Sequence, residues 1–208
     1  MQLRFADCRQ RTGRIARYRT RGYNVDPMAL PQITWQDLQQ LPDDGKRYEA
    51  IEGDLYVTPA PSIRHQRISM RLVLALDELL VQPGHGELFH APVGVEFPAT
   101  EEGVQPDVVF VSKARRGILA EKWMMGPPDV VIEILSPGTA RRDRGIKLRL
   151  YERQRVPEYW VVDPENDAID VWRFELEPRH ERFTASLPVR LGDESIGDMD
   201  LTRIFARG

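Results

Sequence analysis

The sequence predicts an α/β (α+β) domain, a mixed β-sheet flanked by helices. Three observations predict it. Short apolar or alternating runs recur along the chain, as strands require. One longer segment, residues 63–81, carries apolar residues at helical spacing, and a second helix is expected over 139–154. The order of the pieces is a hairpin, a helix, several strands, a second helix and further strands, which suits one sheet with helices packed on it.

Each element has a local reason. Thr34 is the N-cap of a short helix through Leu41, closed by the turn Pro42-Asp43-Asp44-Gly45. Residues 47–51 and 55–58 form a hairpin around Glu52-Gly53-Asp54, and Pro59-Ala60-Pro61 ends its second strand. Ser62 caps the helix over 63–81, which sets Ile68, Leu72, Val73, Leu76, Leu79 and Leu80 on one broad face and Arg64, Arg67, Arg71 and Asp77 elsewhere. Pro83-Gly84-His85-Gly86 stops it. Strands are expected at 87–97, 107–112 and 129–135, the last apolar on both faces. A helix over 139–154 leads to strands at 158–162, 168–175 and 182–187. No internal repeat or low-complexity segment is visible.

Composition bounds the rest. A chain of 208 residues, 41% hydrophobic and 29% charged, is neither disordered, collagenous nor disulfide-stapled. Its apolar runs are too short to span a bilayer, so no membrane partner is expected. One cysteine, Cys8, makes neither an internal disulfide nor a thiolate zinc cage, and a cytoplasmic setting is the expectation. The net charge of −3 is unevenly spread: residues 1–27 hold seven arginines against Asp7 and Asp26, while the rest carries 22 basic against 30 acidic residues. The expected organisation is a basic, disordered extension over 1–27 and one domain over 28–208. The extension has no apolar h-region, so it is not a secretory signal; its functional alternative is an electrostatic arm for nucleic acid. The acidic body argues against coating nucleic acid through charge alone.

Several chemistries are absent. There is no phosphate-binding Gly-x-x-x-x-Gly-Lys loop, no Gly-x-Ser-x-Gly elbow, no His pair at i, i+4, and Gly84-His85-Gly86 fails as a dinucleotide fingerprint because Phe89 takes the last glycine position. What remains is acidic. Glu133 lies within Val130-Val131-Ile132-Glu133-Ile134-Leu135, on the strand face of Val131 and Leu135. A carboxylate there must be neutralised, hydrogen-bonded or bound to a cation, unless it reaches solvent past the sheet end. Asp107 opens the apolar run Val108-Val109-Phe110-Val111. Alone it reads as a turn residue, but a carboxylate on each of two neighbouring strands suits one hard divalent cation. Arg141, Arg142, Arg144, Lys147 and Arg149 follow at the start of the next helix, where the dipole favours anions. Asp143 and Lys147 at i, i+4 also read simply as an intrahelical ion pair.

These residues carry a resemblance. Pro106-Asp107, Glu133-Ile134-Leu135-Ser136-Pro137, Arg142-Asp143-Arg144-Gly145-Ile146-Lys147 and Tyr151 through Val156-Pro157-Glu158-Tyr159-Trp160-Val161-Val162-Asp163-Pro164 resemble the Uma-two family, in the PD-(D/E)xK nuclease superfamily. Tyr48 to Gly53, Pro61-Ser62, His65-Gln66 and, more loosely, 201–205 extend it over about residues 30–205. The resemblance implies a restriction-endonuclease-like fold and hydrolysis of DNA phosphodiesters with Mg²⁺, or Mn²⁺ in its place. It implies Asp107 and Glu133 as metal ligands, Glu49 and Lys147 as further catalytic residues, and His65 at a family position of unassigned role. Arg141, Arg142 and Arg144 would hold flanking phosphates. The superfamily lysine stands two residues after the glutamate, where this chain has Leu135, so the resemblance transfers that role to Lys147 on the next helix. A homodimer follows by analogy, because cutting two strands needs two sites. Two alternatives stay open: a nuclease-like fold that binds DNA or a protein without cutting, and an acidic interaction domain in which Glu133 and Lys147 form only a buried ion pair.

Overall fold

The computed structural model describes residues 32–177 and 179–207. The expected extension over 1–27 lies outside the described residues. Two mixed sheets and a two-stranded ribbon replace the single sheet expected from the sequence.

The first sheet grows from a hairpin. β1 (Arg47–Ile51) and β2 (Asp54–Thr58) pair antiparallel, and Glu52 and Gly53 take φ of 52° and 76° between them, as a tight primed turn requires. β4 (Val95–Phe97), β5 (Glu102–Val104) and β7 (Met124–Met125) complete it in the order β2-β1-β5-β4-β7. α1 (Trp35–Leu38), capped by Thr34 as expected, lays Trp35 over this sheet and ends earlier than Leu41. The indole sits so close that a Cβ on Gly103 would stand 2.1 Å from it.

The second sheet has the order β11-β10-β9-β8-β6-β3. Its strands are β3 (Gly86–His90), β6 (Val108–Ser112), β8 (Val130–Ile134), β9 (Glu158–Asp163), β10 (Ala168–Arg173) and β11 (His180–Phe183). β8 and β9 run parallel; every other neighbouring pair is antiparallel. Strand alternation splits its side chains between two cores. Val108, Phe110, Ile132, Ile134, Trp160 and Val162 face α2 (Ile63–Leu76), which buries Ile68, Leu72 and Leu76 and continues as a π turn over Asp77–Val81. α5 (Leu201–Phe205) and the ribbon of β12 (Ser186–Leu191) and β13 (Glu194–Asp200) pack on the same side. Val109, Val111, Val131, Leu135, Tyr159 and Val161 face the other way, against Ile51, Val95, Phe97 and Val104 of the first sheet and Leu150 and Tyr151 of α4 (Leu148–Arg153).

Two expected strands are divided. The stretch 87–97 splits at Ala91-Pro92 into β3 and β4, which belong to different sheets, because proline cannot donate to a ladder. The stretch 182–187 splits between β11 and β12. The helix expected over 139–154 is α3 (Ala140–Arg142), a π turn over Asp143–Lys147, and α4.

The contact between Trp35 and Gly103 gives a stability prediction. Gly103→Ala should cost about 1–3 kcal/mol through overpacking, whereas Gly117→Ala, whose added methyl meets nothing within 4 Å, should stay within about 0.5 kcal/mol. Chemical denaturation of the two variants checks the difference.

Candidate active site

The register between β6 and β8 pairs Val108 with Ile132, and one further step sets Asp107 opposite Glu133 on the face of the second core. Both carboxylates are buried. Asp107 Oδ2 accepts from Ile134 N–H at 2.9 Å and from His65 Nε2 at 3.1 Å, while Oδ1 accepts from Arg47 Nη1 at 2.8 Å. His65 arrives from the first turn of α2 because Ser62 Oγ accepts its backbone N–H and fixes the start of that helix.

β1 supplies the third carboxylate. Ala50 and Tyr48 turn towards Trp35, so alternation turns Glu49 inward, where it is fully buried. Lys147 meets it from the helix segment. Its Nζ lies 2.7 Å from both Glu49 Oε1 and Glu133 Oε1, and 3.9 Å from Asp143 Oδ1. Tyr151 donates to the same Glu133 oxygen at 2.8 Å. Asp143, Lys147 and Tyr151, each four residues from the next, thus form one buried polar line, and the π turn over Asp143–Lys147 begins it. The cluster opens on a cavity of about 20 Å³, room for about one water or small cation.

Four of the five expected catalytic residues, His65, Asp107, Glu133 and Lys147, line this cavity, and the fifth, Glu49, stands behind it, 2.7 Å from the Lys147 ammonium. The three expected phosphate-binding arginines do not behave alike. Arg142 donates to Thr58 Oγ1 at 2.8 Å and stacks over Tyr56. Arg144 pairs with Asp163 and Asp170 at 2.7 and 2.9 Å. Arg141 is exposed, with no charged partner among the described residues. Sequence reasoning missed Arg47, Asp143 and Tyr151 as members of the cluster. A signal existed for each: Arg47 shares the strand face of Glu49, and Asp143 and Tyr151 share the helix face of Lys147.

Electrostatics separates carboxylates that sit side by side. Burial tends to raise Asp107, yet the hydrogen bond from His65 and the Arg47 guanidinium hold it well below the usual carboxylate range. Burial acts on Glu49 in the same sense, and Lys147, Arg142 and the Gln105 N–H reverse it. Glu133 goes the other way: burial pushes it up to about 8, with Asp143, Asp107 and Glu49 adding to the rise and Lys147 opposing it. Glu49 and Glu133 share one ammonium, but Glu49 also has Arg142 beside it, and Glu133 has no second cation in contact among the described residues. Glu133 is the carboxylate short of positive charge.

The donor set suits a hard divalent ion. Asp107 and Glu133 offer oxygens from adjacent strands, and the second oxygen of Glu133 accepts no hydrogen bond among the described residues. The fit demands rearrangement at Asp107, because Arg47 and His65 occupy its oxygens, and no group of three His, Cys, Asp or Glu among the described residues forms a ready cage.

The raised Glu133 predicts a pH dependence. Between about 4.5, its ordinary value, and about 8 the folded chain holds a proton that the unfolded chain has released, so stability falls as pH rises through that window. Thermal unfolding without added metal should show the wild type losing ground to Glu133→Gln from pH 5 to 8; a constant difference between the two would contradict the assignment.

Comparisons with known proteins agree with this architecture. The sequence model of the Uma2 family, described as "Putative restriction endonuclease", matches residues 35–198. An uncharacterized protein of Synechocystis sp. is 26% identical over 141 residues, 67% of this chain and 70% of that protein. A crystal structure described as a putative nuclease belonging to DUF820, from Anabaena variabilis, superposes with a TM-score of 0.69 at 21% identity, covering 84% of this chain and 98% of the other. That likeness establishes the fold.

Proposed function

The chain belongs to the Uma2 family, and from that premise we propose that it is a Mg²⁺-dependent endonuclease hydrolysing DNA phosphodiester bonds. The observation that carries the reading is the meeting of Asp107, Glu133 and Lys147, distant along the sequence, around one small cavity at the rim of a sheet, with Glu49 paired to Lys147 behind it. Asp107 and Glu133 would hold the ion, with Mn²⁺ as a substitute. When bound, it supplies Lewis-acid polarisation of the scissile phosphate and a more acidic water.

The chain's own residues have separable tasks. Lys147, held between two carboxylates, presents positive charge at the place where phosphate charge develops. Glu49 fixes that ammonium. Tyr151 and Lys147 together bind one oxygen of Glu133 and so aim the other at the cavity. His65 and Arg47 hold Asp107 ionised, and with a cation held by Asp107 either would be available to a phosphate oxygen. Arg141 has no charged partner among the described residues and is the freest of the three arginines to contact a flanking phosphate, whereas Arg144 would first have to leave Asp163 and Asp170. One observation favours a second reading, a silent nuclease-like fold that binds DNA or a protein: the occupied oxygens of Asp107 and the Lys147 bridge make a closed ion-pair network.

Cleavage of plasmid and single-stranded DNA with Mg²⁺, Mn²⁺ or chelator separates the two. Asp107→Asn and Glu133→Gln, close to isosteric, should lower metal-dependent cleavage more than ~100-fold while the proteins stay folded. Full activity in either variant removes the assignment, and a wild type that cuts with neither ion supports the silent fold.

A further inference from the structure

The outer face of α2 carries a feature used by neither the fold nor the candidate site. Ile63, Met70, Leu74 and Met125 are the exposed large hydrophobic residues among the described ones, and the first three stand on this helix, 74%, 59% and 61% exposed. At about 100° per residue, Ile63, Arg67, Met70 and Leu74 fall within roughly 60° of arc, opposite the core-facing Leu72. Their spacing of four, three and four residues is that of a seam between paired helices rather than of scattered surface residues. With its π turn the helix offers a ridge about 28 Å long.

Charge on this face is divided along the axis. Arg64, Arg67 and Arg71 lie in its first half, Asp77 and Glu78 at its end. Arg64 and Arg71 are engaged with the chain's own oxygens, Pro164 O and Asp167 for one and Ile204 O for the other. Arg67 and Glu78 have no ion-pair or hydrogen-bond partner among the described residues.

We propose that this ridge is the contact face of an antiparallel homodimer, α2 against α2 of a second copy, with the two-fold axis level with Leu72. The proposal is independent of the cleavage reading. In that register Met70 meets Leu74 of the partner subunit, Arg67 faces Glu78 of the partner subunit, and Gln66 reaches Asp77 of the partner subunit. Two-fold symmetry makes every one of these contacts twice. A parallel arrangement would set arginine on arginine and carboxylate on carboxylate, so the charge pattern selects the antiparallel one.

Sedimentation equilibrium of the full chain, from about 1 to 100 µM, tests the pairing. The wild type is expected at twice the monomer mass. Leu74→Glu should weaken association at least ~10-fold, with Met70→Lys as a second reading of the same ridge should the first variant lose its fold by circular dichroism. Arg67→Glu and Glu78→Arg should each weaken the dimer, and the two together should restore it. A monomeric wild type, or a dimer indifferent to Leu74→Glu and Met70→Lys, overturns the proposal. Charge reversals that fail to rescue one another overturn the antiparallel register.

Discussion

The Lys147 ammonium, held at 2.7 Å from Glu49 and from Glu133, is the contact on which the site depends. It ties three separately folded pieces together: the hairpin strand β1, the central strand β8 and the helix segment after it. None of the three groups is tolerable alone in the second core. A bare buried carboxylate or ammonium costs several kcal/mol, so removing one leaves the others uncompensated. The cluster acts as a cross-link between the two sheets, because the carboxylates are supplied by one strand of each.

Placement of the site follows from where the apolar alternation stops. Along β6 and β8 the second core is filled by Val109, Val111 and Val131, and polar groups enter only at Asp107 and Glu133, where the two strands end on the same side. Tyr151 and Tyr159 close the floor with rings 4.7 Å apart and spend both hydroxyls on the helix segment and Glu133. The first turn of α2, set by the Ser62 cap, delivers His65 to the rim. A rigid scaffold thus holds the polar groups from three directions, which is what a site requiring preorganised charge demands.

Much of this was legible because periodicity and caps are local. Thr34 and Ser62 cap their helices, the Glu52-Gly53 hairpin forms, and the strand face of Glu133 follows from its apolar neighbours. The division into two sheets was not legible. β5 and β7 are three and two residues long, too short for any period, and β4 continues the alternation of β3 across Ala91-Pro92. β13, Glu-Ser-Ile-Gly-Asp-Met-Asp, belongs to a two-stranded ribbon and buries only Met199, so it lacks the apolar signal of a core strand. At the site, the resemblance named Lys147, but its bridge between two carboxylates depends on a pairing of distant segments that spacing alone does not encode. Arg144 has partners that the sequence did not signal. Its position beside the cluster in sequence suggested a phosphate contact, and the helix turns it to Asp163 at the end of β9 and Asp170 within β10.

Charge balance links the cluster to its ligand. Glu49, Asp107, Glu133 and Asp143 bring four potential negative charges against Arg47, Arg142 and Lys147, and the deficit falls on Glu133, the one carboxylate whose sole cationic contact is shared. Burial favours a proton there, the smallest cation able to fill the gap, and on the proposed reading a divalent ion held by Asp107 and Glu133 would take its place. The same accounting constrains the substrate. On the proposed reading, a body with 22 basic against 30 acidic residues outside the first 27 repels a polyanion at long range, so attraction for a phosphate would have to be generated inside the cavity, where low dielectric multiplies each charge. On that reading, a cation bound at Asp107 and Glu133 would reverse the local sign where a phosphate would approach, and Lys147 and Arg47 would be freed from part of their neutralising duty to face it.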